Sequence, residues 1–181
     1  MIIKLGESQN ALKSENKISK LDYNLYIDAC YKIADDIRKN YKKIEDIELI
    51  GLARGGLPLL VTISHLLNIR SVSIIQTQMS NSDNMHDYGK FRYLSDTIDK
   101  SKKRCILLED IVYKGVTYNS VINIIKERFP NKEILGTYSL IMDKGYKKIE
   151  NRNQEIGLKY VYDLMENDWV YFLWETDIRK I

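Results

Sequence analysis

The stretch RCILLEDIVYKGVT, residues 104–117, decides the fold of this chain. It opens with a run of mostly apolar, β-favouring residues and then places two carboxylates, Glu109 and Asp110, side by side. A turn that contains a glycine follows, and beyond it apolar residues recur at helical spacing. The pattern predicts a buried strand over 104–112, a tight turn, and an amphipathic helix over 117–129 that ends at a proline.

The same strand–turn–helix pattern occurs once before it. Residues 47–53, IELIGLA, predict a short buried strand that ends in a glycine-rich turn, and 57–67 predict a helix with a proline in its first turn. Strands are also predicted at 71–79 and 133–142, after the two helices. Two successive β-α-β units predict an α/β fold with an open, mainly parallel sheet flanked by helices. In such sheets, ligands bind at the carboxyl ends of the strands.

The rest of the chain has weaker patterns. Apolar residues recur every three or four positions over 20–40, which predicts a helix. Residues 159–165 predict a strand, and 169–174 form a terminal apolar segment. The segment 80–100 is polar and long for a connection, which favours a mobile functional loop or a divergent excursion. Residues 1–17 are mostly polar and weakly patterned.

Length and composition indicate one ordinary globular domain over 1–181. Of the 181 residues, 44% are hydrophobic and 29% charged, and the net charge of +3 is too small to imply a nucleic-acid partner. Cys30 and Cys105 fall in apolar patterns and are predicted to be buried thiols in a reducing compartment. No apolar run approaches the roughly 20 residues of a membrane span. We therefore expect a cytoplasmic protein without nucleic-acid or membrane partners.

The turn after Glu109 and Asp110 has the chemistry of a phosphate site. Between Tyr113 and Thr117 the chain carries a glycine and leads into a helix start, where free N–H groups and the helix dipole favour an anion. Lys114 adds positive charge. The two carboxylates beside this turn can accept hydrogen bonds from vicinal hydroxyls or hold a divalent cation. A phosphate next to a diol describes a phosphorylated ribose.

A second anion site is predicted at the other strand end. Arg54 directly follows the strand 47–53, and Gly55 and Gly56 let the backbone approach a ligand closely. Arginine beside exposed N–H groups suits phosphate or pyrophosphate. Either turn alone is typical of a plain structural turn. Together they fit a sugar that carries a 5-phosphate and a 1-pyrophosphate.

The sequence resembles the type I phosphoribosyltransferases at five places. ILLEDIVYKGVT (106–117) resembles the phosphoribosyl-pyrophosphate (PRPP) signature of that family. GLARGGLPLLVTISHLLNI (51–69) resembles the pyrophosphate loop of its xanthine-guanine and hypoxanthine-guanine members, and residues 18–37 are similar to their opening helix. LIMDKG (140–145) falls where these enzymes carry a lysine for the purine oxygen, and NDWVYFLWE (167–175) resembles their C-terminal ending.

The resemblance implies an architecture and a reaction. The architecture is a type I phosphoribosyltransferase-like sheet with a small hood formed from terminal segments. The core would span about 18–145 and the hood about 1–17 and 146–181. The reaction is displacement of pyrophosphate from C1 of PRPP by a nitrogen of guanine, xanthine or hypoxanthine, with Mg²⁺ as cofactor. The resemblance also implies a homo-oligomer, a dimer or a tetramer.

The resemblance assigns roles residue by residue. Glu109 and Asp110 would hold the ribose 2- and 3-hydroxyls, with Asp110 also near Mg²⁺, and the backbone of Tyr113 to Thr117 would cradle the 5-phosphate. The residues implied for PRPP and phosphate are Ala53, Arg54, Gly55, Glu109, Asp110, Tyr113, Lys114, Gly115, Val116 and Thr117, those for the base are Lys144, Trp169 and Val170, and those for catalysis are Glu109, Asp110 and Tyr113.

Tyr113 and Lys114 depart from the purine members of the family, which place Asp and then Thr or Ser there. The family's aspartate handles a proton of the base, and a phenol is a poor base at neutral pH. Three interpretations stay open. The chain is an active enzyme whose proton goes to Asp143, Asp87 or water; it uses a different base or amine, on which Tyr113 stacks; or it binds PRPP or nucleotides without turnover, as a regulator or relic.

The polar segment 80–100, after the predicted strand 71–79, is a candidate lid over PRPP. His86, Asp87, Tyr88 and Lys90 are its candidate contacts. Each of these residues alone is as typical of a solvated loop.

Overall fold

The computed structural model defines the helices and strands of most of the chain. It describes residues 1–6, 12, 14–15, 18–78, 90–144, 157–165 and 168–175. The strands are Ile2–Lys4 (β1), Ser14–Glu15 (β2), Ile18–Leu21 (β3), Ile47–Ala53 (β4), Val72–Gln78 (β5), Arg92–Asp96 (β6), Arg104–Val112 (β7), Glu133–Asp143 (β8), Leu158–Leu164 (β9) and Trp169–Phe172 (β10). The α-helices are Tyr23–Asn40 (α1), Gly56–Leu67 (α2) and Val116–Arg128 (α3), and a short 3₁₀ helix spans Ile44–Asp46. None of these described helices combines the length and apolarity that a membrane crossing requires.

Seven of the described strands form the main sheet, in the order β1-β9-β8-β7-β4-β5-β6. All neighbouring pairs are parallel except β5 with the edge strand β6, which is antiparallel. Helices α1 and α2 bury their apolar residues in one core cluster, and α3 buries its own in another. Successive residues of β4, such as Leu49 and Ile50, join different clusters, so the two clusters lie on opposite faces of the sheet. The predicted α/β fold class is confirmed.

The two predicted strand–turn–helix units form with nearly the predicted bounds. Strands β4 and β7 span the predicted residues, while α2 and α3 begin one residue earlier than predicted, at Gly56 and Val116. Helix α1 begins at Tyr23, because the side chain of Asp22 accepts a hydrogen bond of 2.9 Å from the N–H of Leu25 and so caps the first turn. The local sequence thus fixes where these elements start and end.

Strand β6 lies inside the segment 80–100 that the sequence predicts as a loop or excursion. Its residues are mostly polar because it is the edge strand, and the continuous apolar run expected of an inner strand is missing. The carboxylate of Asp96 pairs with the guanidinium of Arg128 in α3 at 2.9 Å, and this guanidinium lies 4.7 Å from the ring centre of Tyr93. These contacts hold β6 against α3.

The candidate lid residues precede β6 in the chain. Lys90 is exposed, whereas His86, Asp87 and Tyr88 lie outside the described residues. The lid role of this segment therefore stays a prediction.

The two ends of the chain divide between the main sheet and a small three-stranded sheet. Strand β10 pairs in parallel with β3, with Trp169 opposite Ile18, and β2 completes this sheet. Strands β1 and β9 instead extend the main sheet. The small sheet thus combines β3, from the predicted core range 18–145, with β10 and β2. The division into that core and a hood of 1–17 and 146–181 stays a prediction. Strand β9 is buried along most of its length, which suits an inner strand of a parallel sheet.

Both cysteines are buried free thiols, as predicted. Cys30 lies in α1 and Cys105 in β7, and burial raises the pKa of each thiol to about 12. Neither thiol is therefore ionised at neutral pH, so neither is a reactive nucleophile.

A buried ion pair joins the strands at their amino ends, at the edge of the sheet opposite the two turns. Glu48 of β4 and Lys132 lie 2.6 Å apart, with side chains 0% and 2% exposed. The N–H of Asp99 donates to the Glu48 carboxylate at 2.8 Å, and the Lys132 ammonium donates to the carbonyl of Asp99 at 2.9 Å. The hydroxyl of Ser73 in β5 also donates to Glu48. The network ties β4 and β5 to the segments that lead into β7 and β8.

We expect Lys132→Met to destabilise the fold by about 3–5 kcal/mol, because the substitution leaves the Glu48 carboxylate buried without its counter-charge. Urea unfolding followed by circular dichroism measures the free energy of unfolding. Lys4→Met is the matched control, since Lys4 and Asp163 lie at a similar distance, 2.7 Å, but the lysine side chain is 40% exposed. Loss of this exposed ion pair lowers the free energy of unfolding by about 1 kcal/mol or less. Equal effects of the two substitutions would contradict the prediction.

Candidate active site

The two predicted turns lie side by side at the carboxyl edge of the sheet. Strands β4 and β7 are parallel neighbours, with Gly51 opposite Leu108, so their carboxyl ends reach the same place. A Cβ atom added to Gly55 would lie 1.9 Å from a carboxylate oxygen of Asp110, and one added to Gly56 would lie 2.5 Å from the carbonyl oxygen of Leu108. A side chain at Gly55 would displace the Asp110 carboxylate, and one at Gly56 would meet the backbone of β7, so the first turn packs directly on the end of β7.

The first turn presents a guanidinium and a helix start. The peptide bond between Ala53 and Arg54 is cis, and Ala53 is half-buried whereas Arg54 is exposed. The carbonyl of Arg54 accepts a hydrogen bond of 3.1 Å from the N–H of Leu57, which closes the turn into α2. The positive side chain and the amino end of α2 make this turn suitable for an anion.

The second turn lines a cavity. Gly115 caps α3 with a φ of +70°, a left-handed conformation that favours glycine. A backbone hydrogen bond of 2.9 Å runs from the N–H of Asn119 to the carbonyl of Gly115, so the amides that precede Asn119 lie at the open amino end of the helix. Residues 109–118 line a cavity of about 200 Å³. The predicted phosphate residues 113–117 therefore all face one cavity, together with the acidic pair.

Both carboxylates of the pair are held in surroundings that disfavour their charge. Glu109 is 8% exposed, and its Oε2 atom is buried without a hydrogen-bond partner among the described residues. Burial, and secondly the charge of Asp110, raises the pKa of Glu109 well above its usual range. Burial also raises the pKa of Asp110 to about 6, although the N–H of Ile111 donates to its Oδ1 at 2.8 Å. A cation or a hydrogen-bond donor in the cavity would stabilise the charged forms of both carboxylates.

The acidic pair suits a divalent cation that is shared with a substrate. Carboxylate oxygens are ligands that Mg²⁺ prefers, and both Glu109 and Asp110 line the cavity. Among the described residues, no group of three or more acidic, histidine or cysteine side chains forms a metal site by itself. A cation here would take its other ligands from water and substrate oxygens, which is the usual way that Mg²⁺ binds to enzymes of phosphate substrates.

The residues that the resemblance implies for the base lie outside the lining of this cavity. Lys144 directly follows β8, and its ammonium lies 3.3 Å from the sulfur of Met165. Trp169 and Val170 belong to β10 of the small sheet, where Val170 is buried. None of these three described residues lines the cavity of residues 109–118. Their contact with a base stays a prediction.

Two features of the site depend on pairing between distant segments. Glu175, beyond β10, lies close enough to Asp110 for its charge to raise the pKa of that carboxyl. The ring of Tyr113 packs against the core cluster on the side of α1 and α2. Trp174 packs against the same cluster and stacks on Phe172, with ring centres 4.8 Å apart. The predicted site did not include Glu175; its one local signal is that it is the acidic residue that closes the C-terminal apolar segment.

An open parallel sheet with an arginine turn, an acidic pair and a phosphate turn at adjoining strand ends defines a phosphoribosyltransferase-type protein. The family model described as the phosphoribosyl transferase domain matches residues 21–180. The chain therefore belongs to the phosphoribosyl transferase family, and the resemblance predicted from its motifs is confirmed.

Individual relatives and structures agree with this assignment. The bifunctional protein PyrR of Endomicrobium trichonymphae is 28% identical over 151 residues, which are 77% of this chain and 84% of that protein. The xanthine-guanine-hypoxanthine phosphoribosyltransferase of Helicobacter pylori matches with a TM-score of 0.68 and 20% identity, over 90% of this chain and 97% of that one. The purine phosphoribosyltransferase of Pyrococcus horikoshii matches with a TM-score of 0.66 and 23% identity, over 88% and 95%. Both structures have the fold of this chain.

We expect Gly55→Ala to displace the Asp110 carboxylate and to weaken PRPP binding about tenfold or more, a change of roughly 1.4 kcal/mol. The backbone angles of Gly55, φ −60° and ψ −37°, suit alanine, so the contact with Asp110 is the main obstacle. Isothermal titration with PRPP and Mg²⁺ measures the affinity. Gly157→Ala is the matched control, because its added Cβ would lie 4.0 Å from the nearest atom. Unchanged PRPP affinity in Gly55→Ala would count against the contact.

The acidic pair predicts a pH dependence of stability for the ligand-free protein. Between the ordinary pKa of an aspartate, about 4, and the pKa of about 6 for Asp110, the folded chain binds a proton that the unfolded chain releases. The contribution of Asp110 to the free energy of unfolding therefore falls as pH rises from about 4 to 6, by about 1–3 kcal/mol. We expect Asp110→Asn to gain stability relative to the unsubstituted protein over this range.

Urea titrations of both proteins in EDTA, at intervals from pH 4 to 7, measure this difference. The comparison between the two proteins cancels carboxylates whose pKa is lowered, such as Asp28 and Asp99, which act in the opposite direction. A stability difference that stays constant across the range would show that burial does not penalise the Asp110 charge.

Proposed function

We propose that this protein transfers the 5-phosphoribosyl group of PRPP to a 6-oxopurine base, guanine, xanthine or hypoxanthine, and releases pyrophosphate. The observation that carries the proposal is the contact of Gly55 with Asp110, because it joins the arginine turn to the acidic pair and its phosphate turn. A sugar that carries phosphates on C5 and C1, with hydroxyls on C2 and C3, matches that order of groups.

Each group has a role in the proposed reaction. The amides of 113–117 bind the 5-phosphate, Glu109 and Asp110 accept hydrogen bonds from the ribose hydroxyls, and Arg54 binds pyrophosphate. As the bond from C1 to pyrophosphate breaks, positive charge develops on the sugar and negative charge on the leaving group. The carboxylates and Arg54 stabilise these charges, and the turns fix the sugar between them. Mg²⁺ bound near Asp110 would add positive charge beside the leaving pyrophosphate.

The 6-oxopurine assignment rests on Lys144 and on the fold. A lysine ammonium donates hydrogen bonds to an exocyclic oxygen, and Lys144 lies at the carboxyl end of β8, on the same edge as the site. Trp169 offers an aromatic face for stacking and Val170 an apolar neighbour. Two of the solved structures that share this fold are purine phosphoribosyltransferases, which supports the proposal. We therefore rank guanine, xanthine and hypoxanthine before other bases.

A second candidate is a phosphoribosyltransferase for another base, or a PRPP- or nucleotide-binding regulator without turnover. Tyr113 favours this candidate, because a phenol is a poor proton acceptor at the position next to the phosphate turn. The similar PyrR proteins carry the word bifunctional in their name, which fits a role besides transfer. Incubation with PRPP and each of several bases, described below, separates the two candidates.

The proposed setting follows from the reaction. Transfer to a free base returns it to the nucleotide pool, which is purine salvage, and we propose that it occurs in the cytoplasm. A dimer or tetramer is proposed from the family resemblance.

The test is incubation of the protein with PRPP, Mg²⁺ and each of guanine, xanthine, hypoxanthine, adenine and uracil, with detection of nucleoside 5-monophosphate and pyrophosphate. We expect product with a 6-oxopurine and none in EDTA. Asp110→Asn should weaken PRPP affinity without lowering the melting temperature, since Asp110 serves the ligand and its buried charge does not stabilise the fold. Product only with another base supports the second candidate, and tight PRPP binding without product from any base excludes the enzyme.

A further inference from the structure

The proposed reaction needs a proton acceptor that the phosphate turn does not supply. When a nucleobase nitrogen forms its bond to C1, the bond from C1 to pyrophosphate breaks and its electron pair leaves with the pyrophosphate. The nitrogen then loses its proton, and a base must accept it. Glu109 and Asp110 are occupied by the ribose hydroxyls in the proposed function, and the phenol of Tyr113 is a poor acceptor.

The register of the sheet brings one further carboxylate to this place. Val112, the last residue of β7, pairs with Met142 of β8. Asp143 is the last residue of β8, and Tyr113 is the first residue after β7. Both residues therefore lie at the carboxyl ends of neighbouring, paired strands. Backbones of adjacent strands lie about 4.8 Å apart. Asp143 is thus one strand away from the turn that holds the phosphate residues.

Asp143 also lies on the side of the sheet that Tyr113 occupies. Ile111 and Ile141 pair with each other, and both belong to the core cluster on the side of α1 and α2. Side chains two residues apart on a strand share a face, so Asp143 points to that side as well. Tyr113 packs against this cluster, and Leu164, which pairs with Asp143, belongs to it. Tyr113 and Asp143 therefore project from one face.

The surroundings of Asp143 are those of a functional carboxylate. It is 4% exposed at the end of β8 and follows a run of buried residues, 136–142. A carboxyl that is shielded from solvent at the carboxyl end of a strand lies at the edge where open parallel sheets bind their ligands. Lys144, the proposed base-binding residue, is its neighbour in the chain.

We propose that Asp143 faces the nucleobase and accepts the proton that the base nitrogen loses. This inference rests on the proposed phosphoribosyl transfer. Asp143, at the end of β8, would thus accept the proton for which the turn after β7 offers only the phenol of Tyr113. The proton passes from the nitrogen to the Asp143 carboxylate while pyrophosphate keeps the electron pair of the broken bond, so atoms and charges balance.

The test compares Asp143→Asn with the unsubstituted protein in steady-state kinetics with the base that gives product. We expect kcat to fall about 100-fold or more, the lower part of the range for loss of a general base, while KM for PRPP changes less than threefold. Tyr113→Asp added to Asp143→Asn should restore at least tenfold of kcat, because it places a carboxylate one strand away on the same face. A residue with a merely structural role would not be rescued in this way.

A binding measurement keeps the inference testable if no base gives product. Titration with ribose 5-phosphate and with the nucleoside 5-monophosphates separates contact with the sugar from contact with the base. We expect Asp143→Asn to weaken the binding of the nucleoside 5-monophosphates about tenfold and the binding of ribose 5-phosphate less than twofold. Equal weakening of both ligands, or unchanged kcat and monophosphate affinity, would overturn the role of Asp143. Absence of turnover in the unsubstituted protein, with the unequal weakening still present, would overturn the proposed enzyme but not the base contact.

Discussion

The candidate site depends on one close packing contact, the seat of the Asp110 carboxylate against the backbone of Gly55. No side chain fits between them, since even a single Cβ would lie 1.9 Å from the carboxylate oxygen. This contact is possible because β4 and β7 are parallel neighbours although more than 50 residues lie between their starts in the sequence. The arginine turn after β4, and the acidic pair with its phosphate turn at the end of β7, therefore share one edge of the sheet.

The two edges of the sheet treat buried charge in opposite ways. At the amino edge, Glu48 meets a lysine ammonium and a backbone N–H, so its charge is compensated within the chain. At the carboxyl edge, Glu109 has a buried oxygen without a partner among the described residues, and the pKa of Asp110 is raised to about 6. The first arrangement stabilises the fold. The second arrangement leaves carboxylates whose negative charge a ligand must compensate, which indicates a binding site.

Local sequence predicted the elements whose burial is uniform and missed those that depend on distant pairing. The bounds of β4 and β7 agree with the mostly apolar runs, because strands buried on both faces favour apolar residues on both sides. Strand β6 escaped prediction because an edge strand tolerates polar residues. Which sheet each end of the chain joins was not predicted, since only pairing shows that β9 joins the main sheet and β3 the small one.

The same distinction applies to the site. The phosphate turn and the acidic pair were predictable because residues 109–117 are contiguous, so their mutual distance is fixed by the chain itself. The proximity of Glu175 to Asp110, and the common face of Tyr113 and Asp143, arise from strand register between segments far apart in sequence. A substitution that looks like a loss in one motif can therefore be compensated by a residue on the next strand. For this chain, the effect of Tyr113 on the reaction must be judged together with Asp143, which β8 places at the same edge of the sheet.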